Sequence, residues 1–197
     1  MSTLVAELLE LARLDRTSSL DLTETDLAGL VRDAVADAVA VEPERPARAE
    51  APPRLVAVVD EPRIRQVLAN LLGNVRAHTP VTTPVTVRLG ALDDQGITWV
   101  RLEVADAGPG MSAEDAGRAF DRFHRAAEPD DGADQPNGDG ARHRPGSERH
   151  NGNGRGSGLG LSIVQAIAHA HGGQATLESW PGRGTRVRVW LPARALA

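Results

Sequence analysis

Two glycine clusters, Asp106-Ala107-Gly108-Pro109-Gly110-Met111 and Gly156-Ser157-Gly158-Leu159-Gly160-Leu161, stand on either side of a stretch that cannot help build a core. Residues 126–156 hold seven glycines and no Leu, Ile, Val, Met or aromatic side chain, so nothing in them repays the entropy of ordering. They are read as a mobile loop, acidic at first (Glu128, Asp130, Asp131, Asp134, Asp139) and then arginine-bearing (Arg142, Arg144, Arg149, Arg155). Any fold must be assembled from the parts that flank this loop.

The glycine clusters themselves point to an anion. Glycine lets backbone amides come close to a ligand, and a glycine run that opens into an apolar helix presents unpaired N–H groups and a positive dipole end to a phosphate. The chain contains no lysine: its 22 basic residues are all arginine. A G-x-x-x-x-G-K-[ST] phosphate loop is therefore excluded, and a nucleotide site here must be of another design.

Composition removes further classes. With 27 acidic residues the net charge is −5, which gives no general electrostatic case for nucleic acid. The absence of cysteine rules out disulfides, thiol catalysis and thiolate-bound metal. No apolar run reaches the roughly 20 residues of a membrane-spanning helix, and no signal peptide is evident.

Along the chain, Leu4, Val5, Leu8, Leu11 and Ala12 form a short helical stripe that needs a partner helix to be stable. Residues 17–25 read as a linker. Asp26 is an N-cap for a helix with Leu27, Leu30, Val31, Ala34, Val35 and Ala38 on one face. Pro43, Pro46, Pro52 and Pro53 mark residues 42–53 as an exposed connection. A short strand over 55–59 leads to Asp60-Glu61-Pro62, a capping acid and an early-helix proline. The helix that follows buries Ile64, Val67, Leu68, Leu71, Leu72 and Val75, while Gln66, Asn70 and Asn74 recur four apart on another face. Hairpins are expected over 85–89 with 98–104 and over 175–179 with 185–191. Between them come a short helix over 112–123 and a helix over 159–171 that stops at Gly172-Gly173. His171 reads as a helix-terminal residue satisfying carbonyls, and Phe120 and Phe123 as packing at the hinge of the loop. The alternation suggests an α/β two-layer sandwich, a mixed sheet covered on one face by helices.

The polar positions within this scaffold ask for a ligand. Asn70 and Asn74 offer two amide oxygens on one side of a helix, donors that suit Mg²⁺ when phosphates and water complete its shell. Asp106, at a strand end before a glycine turn, is an acceptor for the exocyclic amine of adenine, or on local grounds an Asx-turn residue. Gly158 and Gly160 serve either a phosphate or close packing.

In order and spacing these residues resemble the ATP-binding catalytic domain of sensor histidine kinases, within the wider family that includes DNA gyrase, the Hsp90 chaperones and MutL. Residues 66–74 through Thr79-Pro80 resemble its N box, 106–111 its first glycine box, Phe120-Asp121-Arg122-Phe123-His124-Arg125 its F box, and 156–164 its second glycine box. The resemblance implies a Bergerat-type fold over 26–193, with 126–156 as an ATP lid. It implies ATP and Mg²⁺ as cofactors: Asn74 would ligate the metal, Asn70 would support metal or phosphates, Asp106 would take the adenine amine, and Gly108 and Gly110 would let the base approach. Gly156, Gly158, Leu159 and Gly160 would face the phosphates, and Thr185 the adenine. The basic residue usual three places after the second asparagine is Ala77 here, so Arg76 or His78 would have to replace it.

Residues 1–16 resemble the end of the second helix of the dimerisation and phosphoacceptor hairpin, with 17–25 as linker. None of the six histidines fits the acceptor signature, so the acceptor is expected upstream of Met1 and the chain alone is expected to phosphorylate itself little. The implied partners are the phosphoacceptor-histidine domain, within a homodimer of the full-length protein, and a response regulator. The implied location of this part is cytoplasmic, whether or not the full-length protein is membrane-anchored. The alternatives are an ATPase or an anti-sigma-factor serine kinase of the same superfamily, or a non-catalytic nucleotide-sensing module. Those ATPases and serine kinases carry a glutamate base where this chain has Asn70.

Overall fold

The computed structural model describes residues 20–94, 96–124 and 158–193. In chain order the elements are β1 (Thr23–Asp26), α1 (Leu27–Val41), β2 (Ala47–Glu50), β3 (Val56–Val59), α2 (Glu61–His78), β4 (Val85–Asp94), β5 (Ile97–Asp106), α3 (Ala113–Gly117), α4 (Gly160–Ala170), β6 (Gln174–Ser179) and β7 (Thr185–Pro192). The helix beginning near residue 4 and the loop over 126–156 lie outside the described residues.

Five strands form a mixed sheet in the order β2-β4-β5-β7-β6, with β2 parallel to β4 and every other pairing antiparallel. β1 and β3 form a separate antiparallel pair. One face of the large sheet presents Val85, Val87, Leu89, Val100, Leu102, Val104, Val187, Val189 and Leu191 to the helices. From α1 come Leu27, Leu30, Val31 and Val35, from α2 Ile64, Val67, Leu68 and Leu71, and from α4 Ile163, Val164 and Ile167, all buried in one core. Strand residues alternate between faces and helix residues recur at three and four, so each element delivers one apolar surface to this layer. Burying each such side chain contributes roughly 1.5–3 kcal/mol. The two-layer arrangement read from the sequence is the one observed.

Three stretches depart from the sequence reading, the first being the helix expected over 112–123, which spans only Ala113–Gly117 and gives way to turns from Arg118 on. Of the linker over 17–25, residues 23–25 belong to β1, where Thr25 is buried opposite Ala57. Within the connection over 42–53, Ala-Arg-Ala-Glu forms β2, whose two alanines face the helical layer while Arg48 and Glu50 face out. Both strands exist because a distant strand supplies their hydrogen bonds; neither has a local β signal. The predicted caps are present: Asp26 accepts from Ala28 N–H, and Asp60 from Arg63 N–H. His171 does more than close a helix. Its Nδ1 lies 2.8 Å from the Ile167 carbonyl and its Nε2 accepts the Asp60 N–H at 3.1 Å, which ties the end of α4 to the start of α2.

The outer face of the sheet is a ladder of opposite charges. Glu50, Arg88, Glu103 and Arg188 stand directly opposite one another across β2, β4, β5 and β7, and Arg188 reaches on to Glu178 of β6. Glu103 is 4% exposed and accepts from Arg88 Nη1 and Arg188 Nε, both at 2.8 Å, with Arg186 Nε at 3.6 Å. Burial pushes its carboxyl up, but the hydrogen bonds from Arg188 and Arg88 outweigh that and hold it below the ordinary value of 4.5.

Candidate functional site

Helix α2 joins the two glycine clusters. Near its middle, Asn70 Nδ2 donates to the Gly160 carbonyl at 3.4 Å, and a Cβ placed on Gly160 would lie 3.4 Å from Asn74 Oδ1. At its C-terminal end, Thr79 donates its hydroxyl to Val75 and packs its methyl on Gly108; a Cβ on Gly108 would come within 2.5 Å of that methyl and 2.8 Å of Asp106 Oδ1. The asparagines and the second glycine cluster thus make one end of a site, and Thr79, Asp106 and the first cluster the other.

At the first end, α4 begins at Gly160 with Leu159 as its N-cap residue and no side-chain cap. The other three described helices are capped by Asp26, Asp60 and Ser112. An uncapped helix start beside two asparagine amides and a bare glycine is suited to phosphate and a divalent cation. The donor set fits such a group: neutral amide oxygens supply part of a hard-cation shell, and the missing Gly160 side chain leaves the space that phosphate oxygens need. Gly158, at φ +75°, packs on the backbone of Phe123 and His124, and its carbonyl accepts the Phe123 N–H at 3.1 Å. Phe123 itself adopts φ +64° and is 52% exposed, so its backbone rather than its ring makes the junction with the second glycine cluster.

At the second end, Asp106 Oδ1 accepts the Gly108 N–H at 2.8 Å. Burial raises this carboxyl above the ordinary value of 3.8, against the backbone hydrogen bonds from Gly108 and Thr185 and the Arg45 charge. Gly110 needs to be glycine twice over: its φ is +69°, and a Cβ would run into the Trp180 carbonyl oxygen. Gly184, at φ +79°, meets the Asp106 carbonyl oxygen in the same way, so the β6–β7 turn is locked into the first cluster. Thr185 sits at this lock, its hydroxyl 2.9 Å from Ser179 Oγ, which also accepts the Met111 N–H at 2.8 Å.

Of the residues singled out from the sequence, Asn70, Asn74 and Gly160 come together, as do Asp106, Gly108, Gly110 and Thr185. Leu159 is fully buried, with its side chain in the core. Gly156 lies outside the described residues. Arg76 and His78 are exposed in the last turn of α2, and no hydrogen bond or ion pair joins either to the site among the described residues. His78, four residues beyond Asn74, shares its helix face; Arg76, two residues beyond, is turned away. Sequence reasoning missed Ser179 and Arg45. A serine before Trp180-Pro181-Gly182 carried no periodic signal, and Arg45 lay in a proline-rich stretch read as exposed.

The model of the histidine kinase-, DNA gyrase B-, and HSP90-like ATPase family matches residues 59–195, more than half of the chain. The chain belongs to that family. Its relatives in this ATPase family include the probable sensor histidine kinase TcrY of Mycobacterium tuberculosis, 38% identical over 96% of this chain and 35% of TcrY. Another is the signal transduction histidine-protein kinase AfsQ2 of Streptomyces coelicolor, 34% identical over 98% of this chain and 30% of AfsQ2. The chain therefore spans about a third of the length of these curated relatives. Among solved structures, full-length ShkA in complex with AMPPNP superposes with a TM-score of 0.72 at 26% identity, over 99% of this chain and 36% of that one. The mycobacterial sensor histidine kinase MprB shares the fold, with a TM-score of 0.66 at 22% identity over 88% of this chain and all of that one. Within the described residues, no helix of this family member is long and apolar enough to cross a membrane.

Proposed function

We propose that this chain is the ATP-binding kinase domain of a two-component sensor histidine kinase. It would donate the γ-phosphoryl of ATP to a histidine on a dimerisation domain, for onward transfer to a response regulator. The single observation that carries the reading is that α2 touches both glycine clusters, with Asn70 and Asn74 at Gly160 and Thr79 at Gly108. One rigid helix thereby sets the separation between a base end and a phosphate end.

In this reading Asp106 takes the exocyclic amine of adenine, with Gly108 and Gly110 keeping side chains out of the base's way and Thr185 closing that end. Asn74 holds Mg²⁺, Asn70 supports the phosphates or the metal, and the backbone of Gly158, Leu159 and Gly160 faces phosphate oxygens. His78, on the face of Asn74, is better placed than Arg76 to stand in for the basic residue absent at Ala77. Mg²⁺, when bound, neutralises charge on the phosphates. The residues do the rest by positioning: the bond from the γ-phosphorus to its bridging oxygen breaks, a bond to the acceptor imidazole nitrogen forms, and ADP leaves. Asn70 occupies the place where the superfamily's ATPases carry a glutamate base, which disfavours water as the acceptor.

Calorimetry of ATP binding with and without Mg²⁺ tests the site. Asn74→Ala is expected to weaken Mg-dependent binding by at least about tenfold while circular dichroism and unfolding stay unchanged. Unchanged binding would refute the metal assignment. Incubation with a phosphoacceptor hairpin in trans should yield acid-labile, base-stable phosphate, and fast steady hydrolysis of ATP by the chain alone would sink the kinase reading.

A further inference from the structure

We infer that Arg45 is the positioning residue of the base end of the site, the group that holds Thr79 and Asp106 in register for adenine. This rests on the nucleotide reading above. Arg45 lies between α1 and β2, 5% exposed, in a stretch whose prolines suggested a solvent-exposed connection. Its guanidinium is spent almost entirely on one loop, residues 79–84 between α2 and β4. Nη1 donates to Thr79 Oγ1 at 2.8 Å, to the Pro80 carbonyl at 3.1 Å and to the Thr83 carbonyl at 3.3 Å, while Nη2 reaches the Thr79 carbonyl at 3.4 Å. Nε is anchored by Glu42 Oε2 at 2.6 Å.

That loop is the floor beneath the first glycine cluster. The Thr79 methyl occupies the space where Gly108 would carry a side chain, and the Pro84 carbonyl accepts the Ala107 N–H at 3.2 Å. Both residues that follow Asp106 are therefore held by a loop that Arg45 organises. Three carbonyls converging on one buried cation leave the loop little alternative geometry: without that donor the Pro80 carbonyl would keep only the Thr83 N–H, and the Thr79 and Thr83 carbonyls would lose a charged donor. The planar fork matters as much as the charge, since an ammonium could take the place of Nη1 but could not also reach the Thr79 carbonyl as Nη2 does and Glu42 as Nε does. The Arg45 charge also acts on Asp106 through space, opposing the upward push of burial and favouring the carboxylate that accepts an amine. Arg45 acts through Thr79 and Asp106, not by touching the nucleotide.

The test separates base from phosphate. ATP carries the amine that Asp106 would take, and GTP does not, whereas the triphosphate is common to both. Binding of Mg-ATP and Mg-GTP to the whole chain is measured by calorimetry for wild type, Arg45→Met, Arg45→Lys and Thr79→Val. Arg45→Met should weaken ATP about tenfold and GTP less than about twofold, so that the preference for ATP shrinks; Arg45→Lys should restore only part of it. Thr79→Val keeps the methyl and shape but removes the hydroxyl that Arg45 grips. It should shift the ATP preference the same way by a smaller factor, and it carries the test if Arg45→Met does not fold. Equal weakening of both nucleotides, an unchanged preference in the folded variants, or full restoration by lysine would overturn the inference. A wild-type chain that binds no ATP would instead refute the nucleotide reading beneath it.

Discussion

Replacing Glu103 by Gln tests whether the charge ladder on the open face of the sheet carries stability. Glu103 is buried and accepts two charge-assisted hydrogen bonds at 2.8 Å, from Arg88 and Arg188. Such bonds are worth about 1.5–3 kcal/mol each. The amide keeps one acceptor oxygen but turns its N–H groups toward the guanidinium groups, so one bond weakens and the other is lost. Arg88 retains Glu50 and Arg188 retains Glu178, which limits the damage. The expected loss is about 3 kcal/mol, at the lower end of what removing one partner from a buried pair costs. For a domain of this size that is a fall in Tm of roughly 6–12 °C. The sign with pH follows from the depressed carboxyl. Its stabilisation is fully present above the unfolded-chain value near 4.5 and is lost as pH falls through the lower folded value. Urea denaturation suits the measurement, because guanidinium salt would screen the charges. The stability gap between wild type and Glu103→Gln should hold constant from about pH 7 to about pH 5.5 and close below about pH 4. A gap under about 1 kcal/mol at neutral pH, as for exposed pairs, or one of equal size at both ends of the range, would refute the reasoning.

Asp106→Asn should abolish the preference for adenine without costing stability. Burial raises the Asp106 carboxyl, so its ionisation costs the fold free energy above the folded value and nothing below the ordinary 3.8. The variant should therefore be as stable as wild type or more so at neutral pH, and a clear loss in urea denaturation would contradict this. Gly110→Ala combines a left-handed backbone with a clash against the Trp180 carbonyl, and should cost at least about 2–3 kcal/mol. A neutral outcome by thermal unfolding would show that the β6–β7 turn is not locked into the first glycine cluster.

The elements legible in the sequence were those with their own signal. α1, α2 and α4 announced themselves by apolar spacing, Asp26 and Asp60 by their place before it, and β4 with β5 and β6 with β7 by short β-rich runs around turns. β1 and β2 did not. Thr-Glu-Thr-Asp and Ala-Arg-Ala-Glu become strands only because Val56–Val59 and the start of β4 lie beside them, a tertiary fact. The base and phosphate ends were readable as separate motifs, since glycine, asparagine and aspartate there answer to a ligand. What joins them was not: nothing local says that Arg45, in a stretch with four prolines, will turn inward to grip a loop 34 residues further on.

The charge ladder also bears on how the sheet finds its pairing. The helix-facing positions of β4, β5 and β7 are Val85, Val87 and Leu89, then Val100, Leu102 and Val104, then Val187, Val189 and Leu191. Sliding one strand by two residues would still set aliphatic against aliphatic, so the core side tolerates the error. On the other side the same slide of β4 would take Arg88 away from Glu103, which would then face Thr86 or Gly90, and the desolvated carboxylate would lose one of its two close guanidinium partners. The outward row thus serves as a checksum, rejecting misaligned sheets that the greasy side would accept.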